Sequence, residues 1–158
     1  MKVGANGYVL AKGEGEGIWF LNNLMTVKAG GDDTGNAFTL IESLAPAGFG
    51  PPPHVHHAED EAFYVLDGEA TITCGDRTWS ATPGSFAFLP RDIPHSFKAS
   101  EAGPLKMLQL TLPAQFERFA AEVGEAARAR TLPEPTDPDV PKLLAASARY
   151  DIEILPPR

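Results

Sequence analysis

The chain has 158 residues, 43% of them hydrophobic, and a formal net charge of −8, which suits one domain with a real core. The acidic balance disfavours nucleic acid and anionic membranes as partners, and no segment has the apolar length of a membrane span. A single cysteine, Cys74, excludes an internal disulfide; with no signal-like apolar run in residues 1–17, the chain is expected to be soluble and cytoplasmic.

Fifteen glycines and fifteen prolines suit many turns between short strands. Residues 8–10 are read as a short first strand and the glycine-and-charge run 12–17 as a loop. Residues 18–21 form a buried strand, Asn22-Asn23 a turn, and residues 24–28 the return strand. Residues 29–36 read as a loop. Residues 38–44 form a strand with Phe38, Leu40, Glu42 and Leu44 on one face. Pro51, Pro52 and Pro53 stiffen the chain ahead of a histidine-rich stretch. The β-branched and aromatic run 62–66 is a strand, ended by Asp67-Gly68. Residues 69–74 and 77–81 flank a turn at Gly75-Asp76. Pro83-Gly84 turns into strand 85–89, where Phe86 and Phe88 share one face. Residues 95–97 and 105–111 complete the series. About ten short strands at this spacing argue an antiparallel sandwich or barrel.

The pattern changes after Pro113. Phe116, Phe119, Ala120 and Val123 recur at helical spacing over residues 114–123, with Gly124 as a C-terminal cap. Residues 131–141 are a proline-rich connection. Asp137 is placed to cap a second helix with Pro138 at its first position, or Pro141 delays the start. Leu143, Leu144, Ser147 and Tyr150 make its stripe, and Ile152, Ile154 and Leu155 an apolar tail. Such short helices need tertiary cover, so they are expected to pack on the barrel or on a neighbouring subunit. The apolar segment 18–27 and the stripe of Phe116, Phe119 and Val123 lead us to expect a homodimer.

The chemistry concentrates around Gly48 to Gly68. His54 and His56 are two apart and so share one face of a strand, a common beginning of a metal site. Glu61 opens the next strand and reaches back towards them. His95 is a fourth candidate. His57 alternates to the opposite face and is read as exposed. Glu59 precedes the strand and is read as a loop carboxylate that binds a partner of the ligands. Phe63 and Val65 share the face of Glu61, and Phe97 that of His95; these are candidate pocket walls, suited to a flat apolar substrate. Met107 and Gln109 are candidates from the last strand, whose parity the sequence leaves open.

These residues resemble the cupin superfamily. Its first motif, Gly-x5-His-x-His-x4-Glu-x6-Gly, is met at Gly48, His54, His56, Glu61 and Gly68. Its second, Gly-x5-Pro-x-Gly-x2-His-x3-Asn, is met at Gly84, Pro90 and His95, with Asp92 in place of the glycine and Ala99 in place of the asparagine. Asp tolerates a left-handed turn position, so the first change is mild. The resemblance implies an all-β antiparallel jelly-roll barrel over residues 1–112, with core motifs in 48–99, and a short C-terminal helical extension over 113–158. It also implies a metal held by His54, His56, Glu61 and His95. Three imidazoles and a carboxylate suit one divalent transition metal: iron, nickel, manganese, cobalt, copper or zinc. The wording of the first motif and the Pro-x-x-Phe-Glu-Arg-Phe segment is similar to small bacterial cupins of the quercetinase-like kind. That resemblance implies a dioxygenase acting on an aromatic or enolisable small molecule, with dioxygen as co-substrate and Glu61 as ligand and base. A non-catalytic metal or small-molecule binder and a metal-assisted isomerase, cyclase or lyase are the alternatives.

Overall fold

Two antiparallel sheets face each other in the computed structural model, which describes residues 7–157; the first six residues of the expected barrel region and Arg158 lie outside it. In chain order the elements are β1 (Glu16–Phe20), β2 (Asn23–Ala29), α1 (Gly31–Thr34), β3 (Thr39–Ala45), β4 (His54–His56), β5 (Asp60–Asp67) and β6 (Ala70–Cys74). Then come β7 (Arg77–Ala81), β8 (Phe86–Leu89), β9 (His95–Ala99), β10 (Leu105–Leu112), α2 (Phe116–Val123), β11 (Glu125–Ala126), α3 (Val140–Arg149) and β12 (Ile152–Ile154). The larger sheet has the order β11-β1-β2-β3-β10-β5-β8 and the smaller β12-β4-β9-β6-β7. This is a jelly-roll barrel with short helices near its C-terminus.

Alternation along the strands sets the interior. In β5, Glu61, Phe63 and Val65 face in, and Gln109 and Met107 of β10 lie beside them through the pairs Phe63–Gln109 and Val65–Met107. Two apolar clusters fill the barrel. One joins Ile18, Phe20, Met25, Val27 and Ile41 to Phe116, Phe119, Leu143, Ala146 and Ile152. The other joins Phe63, Val65, Ile72, Leu89, Leu105 and Met107 to small residues such as Ala45 and Ala99.

Several local expectations are corrected. Residues 8–10 form no strand: Val9 is 92% exposed, and the Tyr8 hydroxyl donates to the Lys28 carbonyl at 2.6 Å. The first hairpin turns on Leu21 and Asn22, both at positive φ, the primed-turn geometry that suits a twisted hairpin; Asn23 already belongs to β2 and is buried. The Asn22 side chain ties this turn to the proline-rich segment at Thr136, donating to its carbonyl and accepting from its amide, both at 3.0 Å. The loop at 29–36 contains α1, whose first amides are met by the Asp33 and Glu117 carboxylates. The second helix starts later than Asp137: the Asp139 carboxylate accepts from the Lys142 amide and Pro141 sits in the first turn, where a missing N–H costs nothing. Leu144 faces solvent, and Ala146 takes its place in the core. The apolar tail is strand β12, paired with β4 in the register Ile152–His56, Glu153–Val55, Ile154–His54.

The surfaces on which the dimer expectation rested are covered within one chain. Ile18, Phe20, Met25, Phe116 and Phe119 are all buried against one another, and Val123 packs against the same cluster. No helix among the described residues is long and apolar enough to cross a membrane.

Candidate metal centre

His54, His56, Glu61 and His95 come together from three strands: His54 and His56 from β4, Glu61 from β5 and His95 from β9. Each offers one donor atom, and these atoms all lie within 4.8 Å of one another. Register produces this meeting. His54 pairs directly with His95 across β4 and β9, which places both imidazoles on the inner face, while β5 delivers Glu61 from the opposite sheet. The imidazole centroids are 4.5 to 5.2 Å apart.

Each imidazole has its Nδ1 beside an oxygen acceptor. His54 Nδ1 is 3.0 Å from the Pro52 carbonyl, His95 Nδ1 3.2 Å from that of Ile93, and His56 Nδ1 2.8 Å from the Glu59 carboxylate. These partners place the proton on Nδ1 and leave Nε2 free to ligate, the arrangement that second-layer groups impose on metal-binding histidines. Around Glu61, His95 Nε2 stands 3.1 Å from Oε1 and His56 Nε2 3.6 Å from Oε2. Gln109 donates from Nε2 to Glu61 Oε2 at 2.8 Å.

Burial makes the cluster electrostatically tense. Burial and then the neighbouring His95 and His56 push the His54 pKa down to about 3. Burial alone would raise Glu61, but the charge of His56 and the close approach of His95 outweigh it and bring it down to about 2. Burial likewise opposes charge on His56, yet Glu61 and Glu59 raise its pKa overall. Glu59 is itself raised by burial. His56 Nε2 is buried without a hydrogen-bond partner, which is costly unless something occupies it. A cation at the shared focus of three Nε2 atoms and one carboxylate satisfies that atom and removes the repulsion among the imidazoles. The donor set therefore fits a divalent metal.

Phe63, Phe97 and Gln109 line a cavity beside the cluster, and Val65 and Met107 instead fill the second apolar cluster, away from it. Phe20, Phe116, Phe119, Leu143, Ile152 and Ile154 supply much of the remaining wall, with Asn23 and Ser43 among its few polar members. Those residues did not stand out as site residues in the sequence. The alternation Ile152-x-Ile154 was the available signal, a two-residue period after the helical stripe ends. The cavity is about 60 Å³, room for a few waters but far below the roughly 300–1,000 Å³ that holds a drug-sized ligand.

His57 and Glu59 lie close in sequence and end in opposite places. His57 projects outward between Asp92 (Nδ1 to Oδ1, 2.7 Å) and Glu153 (Nε2 to Oε2, 2.9 Å), and these two carboxylates, Glu153 first, raise its pKa. Glu59 is fully buried against His56. Asp92 adopts φ +67°, so it does take the left-handed conformation of the motif glycine, and its amide donates to the His56 carbonyl at 2.9 Å. Ala99, where the motif has asparagine, is buried in the second cluster. Gly68 closes the β5–β6 turn at φ +81°, where a Cβ would lie 2.3 Å from the Pro104 carbonyl oxygen, so only glycine fits.

A family model described as the cupin domain matches residues 40–111. Quercetin 2,3-dioxygenase of Bacillus subtilis is 27% identical over 155 residues, 98% of this chain and 46% of that protein; the chain thus spans about half the length of that relative. A predicted oxalate decarboxylase from Thermotoga maritima superposes with a TM-score of 0.60 at 19% identity, covering 67% of this chain and 99% of the other. KdgF from Halomonas sp. superposes with a TM-score of 0.55 at 18% identity, covering 61% and 84%. At these identities the two structures bear on the fold alone.

Proposed function

We propose that this chain, whose residues 40–111 match a cupin-domain model, is a metal-dependent dioxygenase of the quercetinase-like kind, acting on an aromatic or enolisable small molecule. The observation that carries this reading is the inward convergence of three imidazole Nε2 atoms and the Glu61 carboxylate beneath an apolar wall. The sequence similarity to quercetin 2,3-dioxygenase supports the same reaction class.

His54, His56 and His95 hold the metal through Nε2, and Glu61 completes the set. When bound, a divalent transition metal supplies Lewis acidity and access to dioxygen chemistry. Glu61 also serves as the base, accepting the proton of the substrate's acidic O–H at a carboxylate oxygen. A carboxylate is a weak base, so the fitting substrates carry acidic hydroxyls, enols and phenols. Gln109 orients Oε2 through its amide. Phe20, Phe116, Phe119 and Leu143 exclude water from the reacting groups. Of the two substrate classes, the compact enolisable one needs less room beside the cluster. We further read the protein as cytoplasmic and as a homodimer.

Elemental analysis of purified protein, combined with oxygen uptake against a panel of polyphenols and small enolisable acids, tests the proposal. About one transition metal per chain and substrate-dependent oxygen uptake are expected, both lost in His56→Ala. Turnover without oxygen uptake replaces it with a metal-assisted isomerase, cyclase or lyase. Stoichiometric metal with no turnover across the panel leaves a binding protein.

A further inference from the structure

A polar side chain on the inner face of a barrel strand needs a reason, because an unmet polar atom is costly in an apolar interior. The larger sheet buries Asn23 on β2, Thr39 and Ser43 on β3, and Gln109 and Thr111 on β10. Two of these have their partners: Thr39 donates to the Glu117 carboxylate, and Gln109 to that of Glu61. Thr111 Oγ1 has no hydrogen-bond partner among the described residues, but Thr111 does not line the cavity beside the metal centre. Asn23 and Ser43 do line it.

Asn23 heads β2, directly after the hairpin turn. Alternation with Met25 and Val27, which are buried in the first apolar cluster, turns its side chain inward. Its Nδ2 donates to the Leu21 carbonyl at 3.2 Å. A carbonyl only accepts, so this bond fixes the amide, with its nitrogen towards the turn and its oxygen away from it. That oxygen, Oδ1, is buried and has no hydrogen-bond partner among the described residues. A residue kept only for the turn needs a donor there, and burying an unmet acceptor beside it opposes folding. Ser43 is the diagonal neighbour of Asn23, since Met25 pairs with Ser43 across β2 and β3. Gln109, which holds Glu61, pairs with Ile41, and Ser43 lies two residues further along β3. The cavity therefore has two polar ends on an otherwise largely apolar wall. Glu61 and the imidazoles form one, and Asn23 with Ser43 forms the other.

We propose that Asn23, with Ser43 beside it, is a specificity-determining residue of this site. Its Oδ1 accepts a hydrogen bond from a second hydroxyl of the substrate, remote from the oxygen that faces Glu61. The ligand class is a compact enolisable molecule with an acidic hydroxyl at one end, a further hydroxyl at the other and an apolar body between. A methyl, ether or carboxylate at the far end offers Oδ1 no proton and is not held. This role rests on the proposed function, in which the metal centre takes an acidic hydroxyl.

The test is anaerobic calorimetry of the metal-loaded chain with two probes that differ by one hydroxyl. Kojic acid carries an enolic hydroxyl beside a ketone and a hydroxymethyl group across the ring; allomaltol carries methyl in place of the hydroxymethyl. The wild type is expected to bind kojic acid about 10–100-fold more tightly, the scale for satisfying a buried acceptor. Asn23→Leu, of similar size, is expected to bind the two probes alike, with its affinity for allomaltol and its metal content unchanged. A purely structural role would lower both affinities together and leave their ratio alone, and that result overturns the subsite. Equal affinity of the wild type for both probes overturns it too, and leaves the metal-centre reading standing. A wild type that binds neither probe overturns the subsite together with that reading for compact enols. Should Asn23→Leu fail to fold, the side-chain amide resonances of Asn23 in the zinc-loaded wild type decide. They are expected to shift with kojic acid and not with allomaltol, and the same response to both overturns the subsite.

Discussion

The barrel interior has two ends built from the same strands, and they solve opposite problems. β5 and β10 run through both. At one end they contribute Glu61 and Gln109 to the metal centre; a step further along they contribute Val65 and Met107 to a dry cluster with Ile72, Leu89 and Leu105. The dry end is packed with its own sheet residues, many of them alanines that let the sheets close. The metal end is held open by polar groups that cannot collapse on one another, and it borrows its apolar cover from α2, α3 and β12. Stability should therefore reside at the first end and chemistry at the second, joined by a few shared strands.

The strongest way to break that division is at Glu61. Glu61→Gln keeps the shape and an oxygen donor but removes the base. We expect substantial metal retention and turnover lower by about 10²–10⁴, with the thermal midpoint of the metal-loaded protein little changed. Raising the pH until the substrate ionises in solution should restore part of the rate. Full activity at neutral pH would remove Glu61 from its role as base.

At the dry end Ile72→Ala should do the reverse. Ile72 is 2% exposed, and deleting a buried side chain of this size costs about 2–5 kcal/mol. Chemical denaturation should report that loss while the folded fraction keeps its metal. Equal loss of metal from folded protein would mean that the two ends are one cooperative unit.

Glu59 sharpens the comparison at its boundary. It touches no donor atom of the metal centre, yet it holds the Nδ1 side of His56 at 2.8 Å. Glu59→Ala should weaken metal affinity by about 10–100-fold, read by chelator competition in the absence of substrate. Glu59→Gln, which still accepts a hydrogen bond, should recover much of it. An identical loss in both variants would point to charge rather than orientation.

A pH dependence of the metal-free protein tests the metal end by itself. His54 titrates near 3 in the folded chain against about 6.5 unfolded, so the unfolded state binds more protons between those values and stability falls as pH drops through that window. Glu61 adds to the loss from about 4.3 down to about 2. His56, with a raised pKa, contributes fully below its unfolded value and brings no further change there. Thermal midpoints of the apo protein should therefore decline from pH 6.5 downwards, and His54→Phe should flatten the upper part of that decline. A midpoint that is constant from pH 6.5 to 4 would contradict the assignment.

Much of the site was legible in the sequence because it depends on local rules. Strand alternation put His54 and His56 on one face and His57 on the other, and the gapped motif linked them to Glu61 and His95. The glycine at position 68 and the aspartate at 92 marked turns whose backbone the structure confirms at positive φ. The strands between residues 39 and 112 were readable from β-branched and aromatic runs bounded by Gly, Pro and Asp. Side-chain period alone, however, tells which residues share a face and not which face is inside. That depends on which sheet lies opposite, so the leucines of β3 and the phenylalanines of β8 turned out to face outward. The partners of the C-terminal tail were equally hidden. Ile152 and Ile154 become a strand because β4 has an unpaired edge nearly a hundred residues earlier, and only the folded chain brings that edge within hydrogen-bonding reach.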